Sequence, residues 1–453
     1  MNRVLAIAAM TVRTAVHSRV FIALLFAVII CVAGFPMIVK GDGTVEGEIR
    51  LILEYSLGAA FVLLCIVSLW SGSAGVSMEI AGKQVHLIRS KPVTVFQLWI
   101  GKWLGIAFVN VVLLGAAAFV TYGSVWYSLN KARHAGADTS RAETEILASQ
   151  LEVLPDDKPL EEYVSLLWDE HQKSGVITPE NSEELLSTLR QEVMRELKNV
   201  RFGDTRDFQF VIPAGESSNG PDPVLEFSFM ASRDPEHHTH VEWQVERDGS
   251  FSTLYSEKIY GAGKYRISLP RELVVNRSIL TLRFNFLPEG HEQTLLFPED
   301  DSIRLLFTKG SAVQNFVKGI LVLLIKLLFL SALGLTAGCL LSLLVALFVS
   351  FGGVAAYQLA CFFTGQEQGM SLYGFSDGSH AEGFFERASF YLAMLAGRFA
   401  WSFRGVDPLK RLAQGLFISW GEIGWVFVAQ LLIAGTFVAL IGCWTLSKKE
   451  LAL

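Results

Sequence analysis

The sequence predicts a membrane all-α chain of six transmembrane helices. One extracytoplasmic α+β domain is inserted into it, with helices followed by an antiparallel β-sandwich. Three observations carry this expectation. Hydrophobic residues make up 51% of the 453 residues and charged residues 18%, with a mean hydropathy of +0.40, whereas soluble domains carry roughly 25% charged residues. Six apolar runs each approach the ~20 residues that cross a hydrocarbon layer as helix. Charge is also segregated: residues 131–310 hold 20 Lys/Arg and 32 Asp/Glu, against 18 and 12 in the remaining 273 residues. An acidic, polar segment between apolar, slightly basic flanks argues against nucleic acid as a partner and against a single soluble enzyme.

The first run, residues 20–39, follows Arg3, Arg13 and Arg19. Its apolar core is too long for a signal peptide and no Ala-x-Ala site follows, so it is read as a retained helix. Further runs lie at residues 56–76, 98–120, 316–340, 343–363 and 423–444, the fourth and fifth separated near 338–342. Basic residues of short loops set the orientation. A cytoplasmic N-terminus gathers Lys83, Arg89, Lys91, Lys102, Lys448 and Lys449 on the inner side with the N-terminal arginines, and puts Asp42, Glu46, Glu48 and Glu54 outside. The C-terminus then returns to the cytoplasm and residues 128–311 are extracytoplasmic. Residues 364–422, an outer loop in this scheme, run against the rule with Arg387, Arg398, Arg404, Lys410 and Arg411. The expected division is 1–127, 128–311 and 312–453.

Within the insert, 128–200 reads as helical. AETEILASQLEVL and EELLSTLRQEVMRELKNV are rich in helix formers, and Leu185, Leu186, Leu189, Val193 and Leu197 recur at helical spacing. After Arg201 the period becomes two, as in Leu225-Phe227-Phe229, Val241-Trp243-Val245 and Leu280-Leu282-Phe284-Phe286, with Gly/Pro/Asp turns between them. That pattern predicts a sandwich over 201–311. All five cysteines fall in apolar runs, so the insert has no disulfide framework.

Few motifs carry chemistry. His238 and His240 would share one face of a strand and are the only metal-ligating candidates, but a third ligand is not visible and Asp234-Pro235 marks a turn just before them. Ala81-Gly82-Lys83 and Ala262-Gly263-Lys264 lack the upstream glycine and the hydroxyl of a phosphate-binding loop. No catalytic constellation, cofactor site or enzymatic activity is expected. Two lysines bear on the fourth run. Lys318 is placed to snorkel outward, and Lys326, about three turns in, faces either an internal polar path or a local partner.

The segment between the second and third runs is the most informative. Residues 78–90 read as a short amphipathic helix, with Ile80, Val85 and Ile88 opposite Glu79, Lys83 and Arg89, and Lys91-Pro92 ends it. A compact basic helix between two spans suits docking of a cytoplasmic partner. The order Glu79, Arg89-Ser90-Lys91-Pro92-Val93, Gly101-Lys102 resembles the segment after the second span of type 2 ABC transporter permeases. The N-terminal stretch through Arg13 and Arg19 is similar to their elbow helix, residues 326–365 to their fourth and fifth helices, and 444–451 to their basic tail. The resemblance covers residues 1–127 and 312–453.

This resemblance implies a permease in the bacterial inner membrane that pairs with a separate ABC ATPase subunit, which binds the ATP. Glu79, Ile80, Lys83, Val85, Ile88, Arg89, Lys91 and Pro92 would form the coupling element. It implies a homodimer or a pairing with a sister permease, working in export. The insert departs from the family's short outer loop, leaving open whether it selects cargo, meets an envelope partner or modifies the path. The alternative is a membrane-anchored receptor or sensor whose β-sandwich binds a ligand.

Overall fold

A computed structural model describes residues 3–17, 19–38, 44–82, 93–156, 158–173, 186, 188–190, 192–194, 196, 199–213, 221–231, 238–247, 249–260, 263–275, 277–287, 294–297, 302–352 and 407–451. The chain divides into two compact units, Met1–Ser149 with Gly310–Leu453, and Gln150–Lys309. The insert therefore begins at Gln150 rather than at residue 128.

In the helical unit, α1 (Arg3–Val16) and α2 (Arg19–Ile38) come first. α3 (Val45–Leu51) continues through a π-helical turn (Ile52–Ser56) into α4 (Leu57–Ala81). α5 (Val95–His134) follows, and the insert leaves and rejoins this unit between α5 and α7 (Ala312–Leu340). α8 (Leu343–Gly352), α9 (Pro408–Ala413) and α10 (Trp420–Val426) follow, the last running through a π-helical stretch (Phe427–Gly435) into α11 (Thr436–Leu451). Among the described residues four helices, Val45–Ile80, Val95–His134, Ala312–Leu340 and Trp420–Lys448, are long and apolar enough to cross a membrane. The break in the long apolar stretch falls at Leu341 and Ser342.

The helices outrun the apolar runs because polar caps set their ends. Thr94 and Gln97 form a reciprocal capping box that starts α5 three residues before the run, and Thr44 accepts from the Gly47 amide to start α3. Lys131, Arg133 and His134 fill the last turn of α5, where cations suit the helix dipole. Residues 128–134, expected in the insert, thus complete a 40-residue helix, roughly 60 Å at 1.5 Å per residue.

Glycines set how closely the helices approach. A Cβ on Gly72 of α4 would lie 2.8 Å from the Ser331 oxygen, and one on Gly334 or Gly338 of α7 would lie 2.7 Å from the Leu69 oxygen or 2.5 Å from the Ser73 oxygen. These helices touch backbone to backbone, as small residues four apart allow in membranes. The Ser73 hydroxyl adds a hydrogen bond to the Gly334 carbonyl at 3.1 Å. α1 docks on α5 in the same manner. Gly101 receives Ile7 and Gly105 receives Thr11, so the two helices run in the same sense.

The second unit contains β1 (Gln150–Val153), α6 (Lys158–Lys173), β2 (Asn199–Arg201), β3 (Thr205–Val211), β4 (Val224–Ala231) and β5 (His238–Arg247). β6 (Ser250–Tyr260), β7 (Gly263–Ser268), β8 (Ile279–Phe286), β9 (Thr294–Leu296) and β10 (Ile303–Thr308) complete it. Every pairing is antiparallel. One sheet runs β1-β10-β4-β9-β2 with β7 also on β4, and the other runs β3-β8-β5-β6. Both bury one core. Trp243 of the second sheet lies 5.3 Å from Phe227 of the first and 5.0 Å from Phe284, ring centroid to centroid.

The expected helix over AETEILASQLEVL is not formed. Ala142–Ile146 makes one π-helical turn and Gln150–Val153 is a strand. Pairing with β10 decides it: Leu151 opposite Phe307 and Val153 opposite Leu305 give this short segment ladder hydrogen bonds and an apolar face to cover. Leu189 and Val193 do lie on a helical stretch and are buried, whereas Leu185 and Leu197 lie outside the described residues.

Candidate functional site

Two polar sites interrupt the apolar helical unit, one at each end of α4 and α5. At the first, α4 does not stop at residue 76 but runs to Ala81, with Gly82 closing it. Glu79 and Ile80 therefore belong to its last turn and not to a separate amphipathic helix. The Lys102 ammonium reaches across from α5, 2.6 Å from Glu79 Oε1 and 2.8 Å from the Gly75 carbonyl oxygen. One helical turn separates Gly75 from Glu79, so both acceptors face the same donor. The Lys102 side chain is 6% exposed and that of Glu79 is 22% exposed.

The structure gives two of the expected coupling residues partners within the chain. Glu79 was expected to aim its charge at a partner and to team with Arg89, but that charge is met within the chain by Lys102. Ile80 was expected on a docking face, yet it packs against the cluster of Val76, Leu98, Trp99 and Leu335. Both follow from α4 continuing one turn further, which turns these side chains toward α5. Lys83, Val85, Ile88, Arg89, Lys91 and Pro92 lie outside the described residues. What the structure supplies is the frame on either side of them: the ion pair, the Thr94–Gln97 cap, and α1 seated against Gly101 and Gly105. Arg13 lies in the last turn of α1 and Arg19 begins α2.

At the other end, Asn315 of α7 binds the turn that precedes α10. Its Nδ2 donates to the Leu416 carbonyl at 2.7 Å and its Oδ1 accepts from the Ile418 amide at 2.8 Å. Lys318 does not snorkel. It is 7% exposed, donates to the Ile418 carbonyl at 3.0 Å and sits 4.1 Å above the Phe417 ring. Arg411 meets Glu422 at 2.8 Å, and Glu422 with Ser419 forms the capping box of α10. Lys326 lies further along α7, within electrostatic range of Cys65 on α4 and of Asp407, the N-cap of α9.

In the β-rich unit, Glu226 of β4 is opposite Arg304 of β10 and Arg266 of β7. Arg304 reaches Glu152 at 2.9 Å and Glu226 at 2.5 Å, forming a charge row across four strands. Glu226 is 3% and Arg304 2% exposed. Burial alone would raise the Glu226 carboxyl, but Arg304, Arg266 and Lys264 outweigh it and hold the group below the usual carboxylate value. His240 accepts from or donates to Ser256 Oγ at 3.0 Å, and His238 opens β5. Among the described residues no group of three His, Cys, Asp or Glu could hold a metal ion.

Sequence reasoning took Lys102 as one more inner positive charge and missed Asn110, Asn315 and the Glu226–Arg304 row. The readable signal was polarity inside apolar runs: Asn110 and Lys102 both fall within residues 98–120. Compared with protein-family models, with curated proteins and with solved structures, the chain matches none of them.

Proposed function

We propose that the chain is the membrane subunit of an exporter of the type 2 ABC permease kind, driven by a separate ATPase. The observation that carries this reading is the braced helix pair α4–α5. A segment of basic and apolar residues, 83–92, is strung between two long apolar helices whose ends beside it are locked by Glu79–Lys102. A partner that pulls on such a segment moves both helices together, because the ion pair and the Lys102 bond to Gly75 tie them where the pull arrives. In this reading α1 is the elbow helix, and α2 and α8 complete six spans. The termini face the cytoplasm, the β-rich unit lies outside, and two membrane subunits share one path. Anchoring a receptor would need only one or two spans.

The test is co-purification from native membranes. An ATP-binding subunit should accompany the wild type, and Arg89→Glu should stay inserted while losing that subunit. Co-purification of a kinase instead would favour the anchored-receptor alternative. Orientation is tested by single cysteines: Ser218→Cys should react with an impermeant thiol reagent on intact cells, and Lys83→Cys should not. The reverse pattern would invert the topology.

A further inference from the structure

Along the contact between α4 and α5 the buried polar groups are incompletely matched. Ser68 of α4 donates to Asn110 Oδ1 of α5 at 3.0 Å, but Asn110 Nδ2, with the residue fully buried, has no hydrogen-bond partner among the described residues. Eleven residues further along α5, three helical turns on the same face, Thr121 Oγ1 is also fully buried and unpartnered. Ser56 Oγ, at the end of the π-helical turn of the antiparallel neighbour, is in the same condition. An interior helix contact that leaves a donor and two hydroxyls unmatched is costly unless something else satisfies them.

The contacts on either side differ. α4 meets α7 through glycines at backbone distance, with its serine bonded, and no unpartnered side-chain atom occurs on α7 among the described residues. α1 is seated on α5 through Gly101 and Gly105. Near one end of this contact, beside the residues that follow Thr121 and precede Ser56, lies a cavity of about 90 Å³ lined by Leu53, Tyr122, Val125, Asn315, Phe316 and Leu412. That is room for several water molecules at roughly 30 Å³ each. The π-helical turn, a local irregularity common at functional sites, lies beside it.

We propose that the α4–α5 contact is a hydrated internal seam. Water enters from this cavity, passes Thr121 and Ser56, and reaches Asn110, whose Nδ2 is the donor that anchors it. The seam closes at Lys102 and Glu79, where the ion pair holds the two helices together. The unmatched groups are what water supplies: a hydrogen-bond acceptor for Asn110 Nδ2 and exchangeable partners for two hydroxyls. Because wetting satisfies these groups, this contact parts more readily than the glycine-tight ones. The inference rests on membrane insertion and does not require the ATPase partner.

The test uses full-length protein in lipid nanodiscs with its native cysteines replaced, carrying Thr121→Cys or Asn110→Cys alone. The control keeps only native Cys339, fully buried on α7. A charged methanethiosulfonate reacts with a thiolate, which forms only where water reaches it. Both introduced cysteines should react at least tenfold faster than Cys339, and adding Asn110→Leu should slow Thr121→Cys severalfold. Thr121→Cys is nearly isosteric and keeps the test standing if Asn110→Cys fails to fold. Thr121→Cys reacting no faster than Cys339, or indifferent to Asn110→Leu, would overturn the proposal.

Discussion

Breaking the Glu79–Lys102 pair should destabilise the helical unit unequally, depending on which partner is removed. Glu79→Gln leaves an ammonium that is 6% exposed with no counter-charge, only the neutral oxygens of the new amide and of Gly75. Losing one member of a buried pair costs about 3–5 kcal/mol, because the other charge stays desolvated. Lys102→Met instead leaves a carboxylate that is 22% exposed and can turn to water. Its cost should fall between that figure and the ~1 kcal/mol of a surface pair. The double variant removes both charges and should recover much of the loss, since a methionine covers the Lys102 stem and a neutral amide can still accept or donate. The assay is a double-mutant cycle on unfolding in detergent, followed by helical circular dichroism. Additivity within about 0.5 kcal/mol would mean the two groups do not interact and would refute the reasoning. Equal single costs would refute the exposure argument alone.

Gly338→Val should prevent the close approach of α4 and α7, because its Cβ would fall 2.5 Å from the Ser73 oxygen, whereas Gly115→Ala, with nothing within 4 Å, should leave the melting temperature unchanged. Asn315→Leu should release the Leu416–Ile418 turn and cost about 1–3 kcal/mol, seen as faster proteolysis near residue 416. For Glu226 the folded carboxyl lies below its ordinary 4.5. Its stabilisation is therefore complete above about pH 4.5 and is lost as pH falls through the folded value. Glu226→Gln should flatten that acid limb of the strand signal while lowering stability at neutral pH.

Much of the β-rich unit was legible because its strands alternate cleanly. Phe227, Trp243 and Phe284 face one core while Glu226, Glu242 and Arg283 face away. β6 was not legible. Among the described residues it pairs only with β5, and its register shifts at Trp243/Gln244, so its core-facing side chains, Leu254, Tyr255 and Ile259, do not alternate with period two. β1 was hidden by good helix formers whose state is set by β10, some 150 residues away in sequence. The apolar runs located the helices but not their ends, since composition reports hydrocarbon and caps report hydrogen bonding. At the candidate site the sequence brought Glu79 and Lys102 into one motif. It could not show that they meet, because that requires knowing that α4 keeps its helical phase to Ala81.

The helical unit follows from two kinds of side-chain economy on one helix. On the face toward α7, α4 presents Gly72 and Ser73, and α7 answers with Gly334 and Gly338. Contact at backbone distance gains dispersion over many atoms and loses it steeply for a displacement of 0.5–1 Å, so this pair resists separation. On the face toward α5 the same helix presents Ser68 and, one helix end away, Glu79. Polar groups there gain in contact what water can return to them once the helices part, so the net cost of parting is small except at the ion pair, where two charges would be exposed together. A displacement applied beside Glu79 is therefore carried rigidly into α7 through the glycines, and it strains the seam to α5 about Lys102. Shortening that lever should separate the two effects. Lys102→Arg keeps the charge but changes reach and donor geometry, so it should preserve the melting temperature within about 1 kcal/mol of stability while altering Thr121→Cys reactivity. If reactivity follows stability in every variant at this pair, the pivot role fails and the pair is a fastener only.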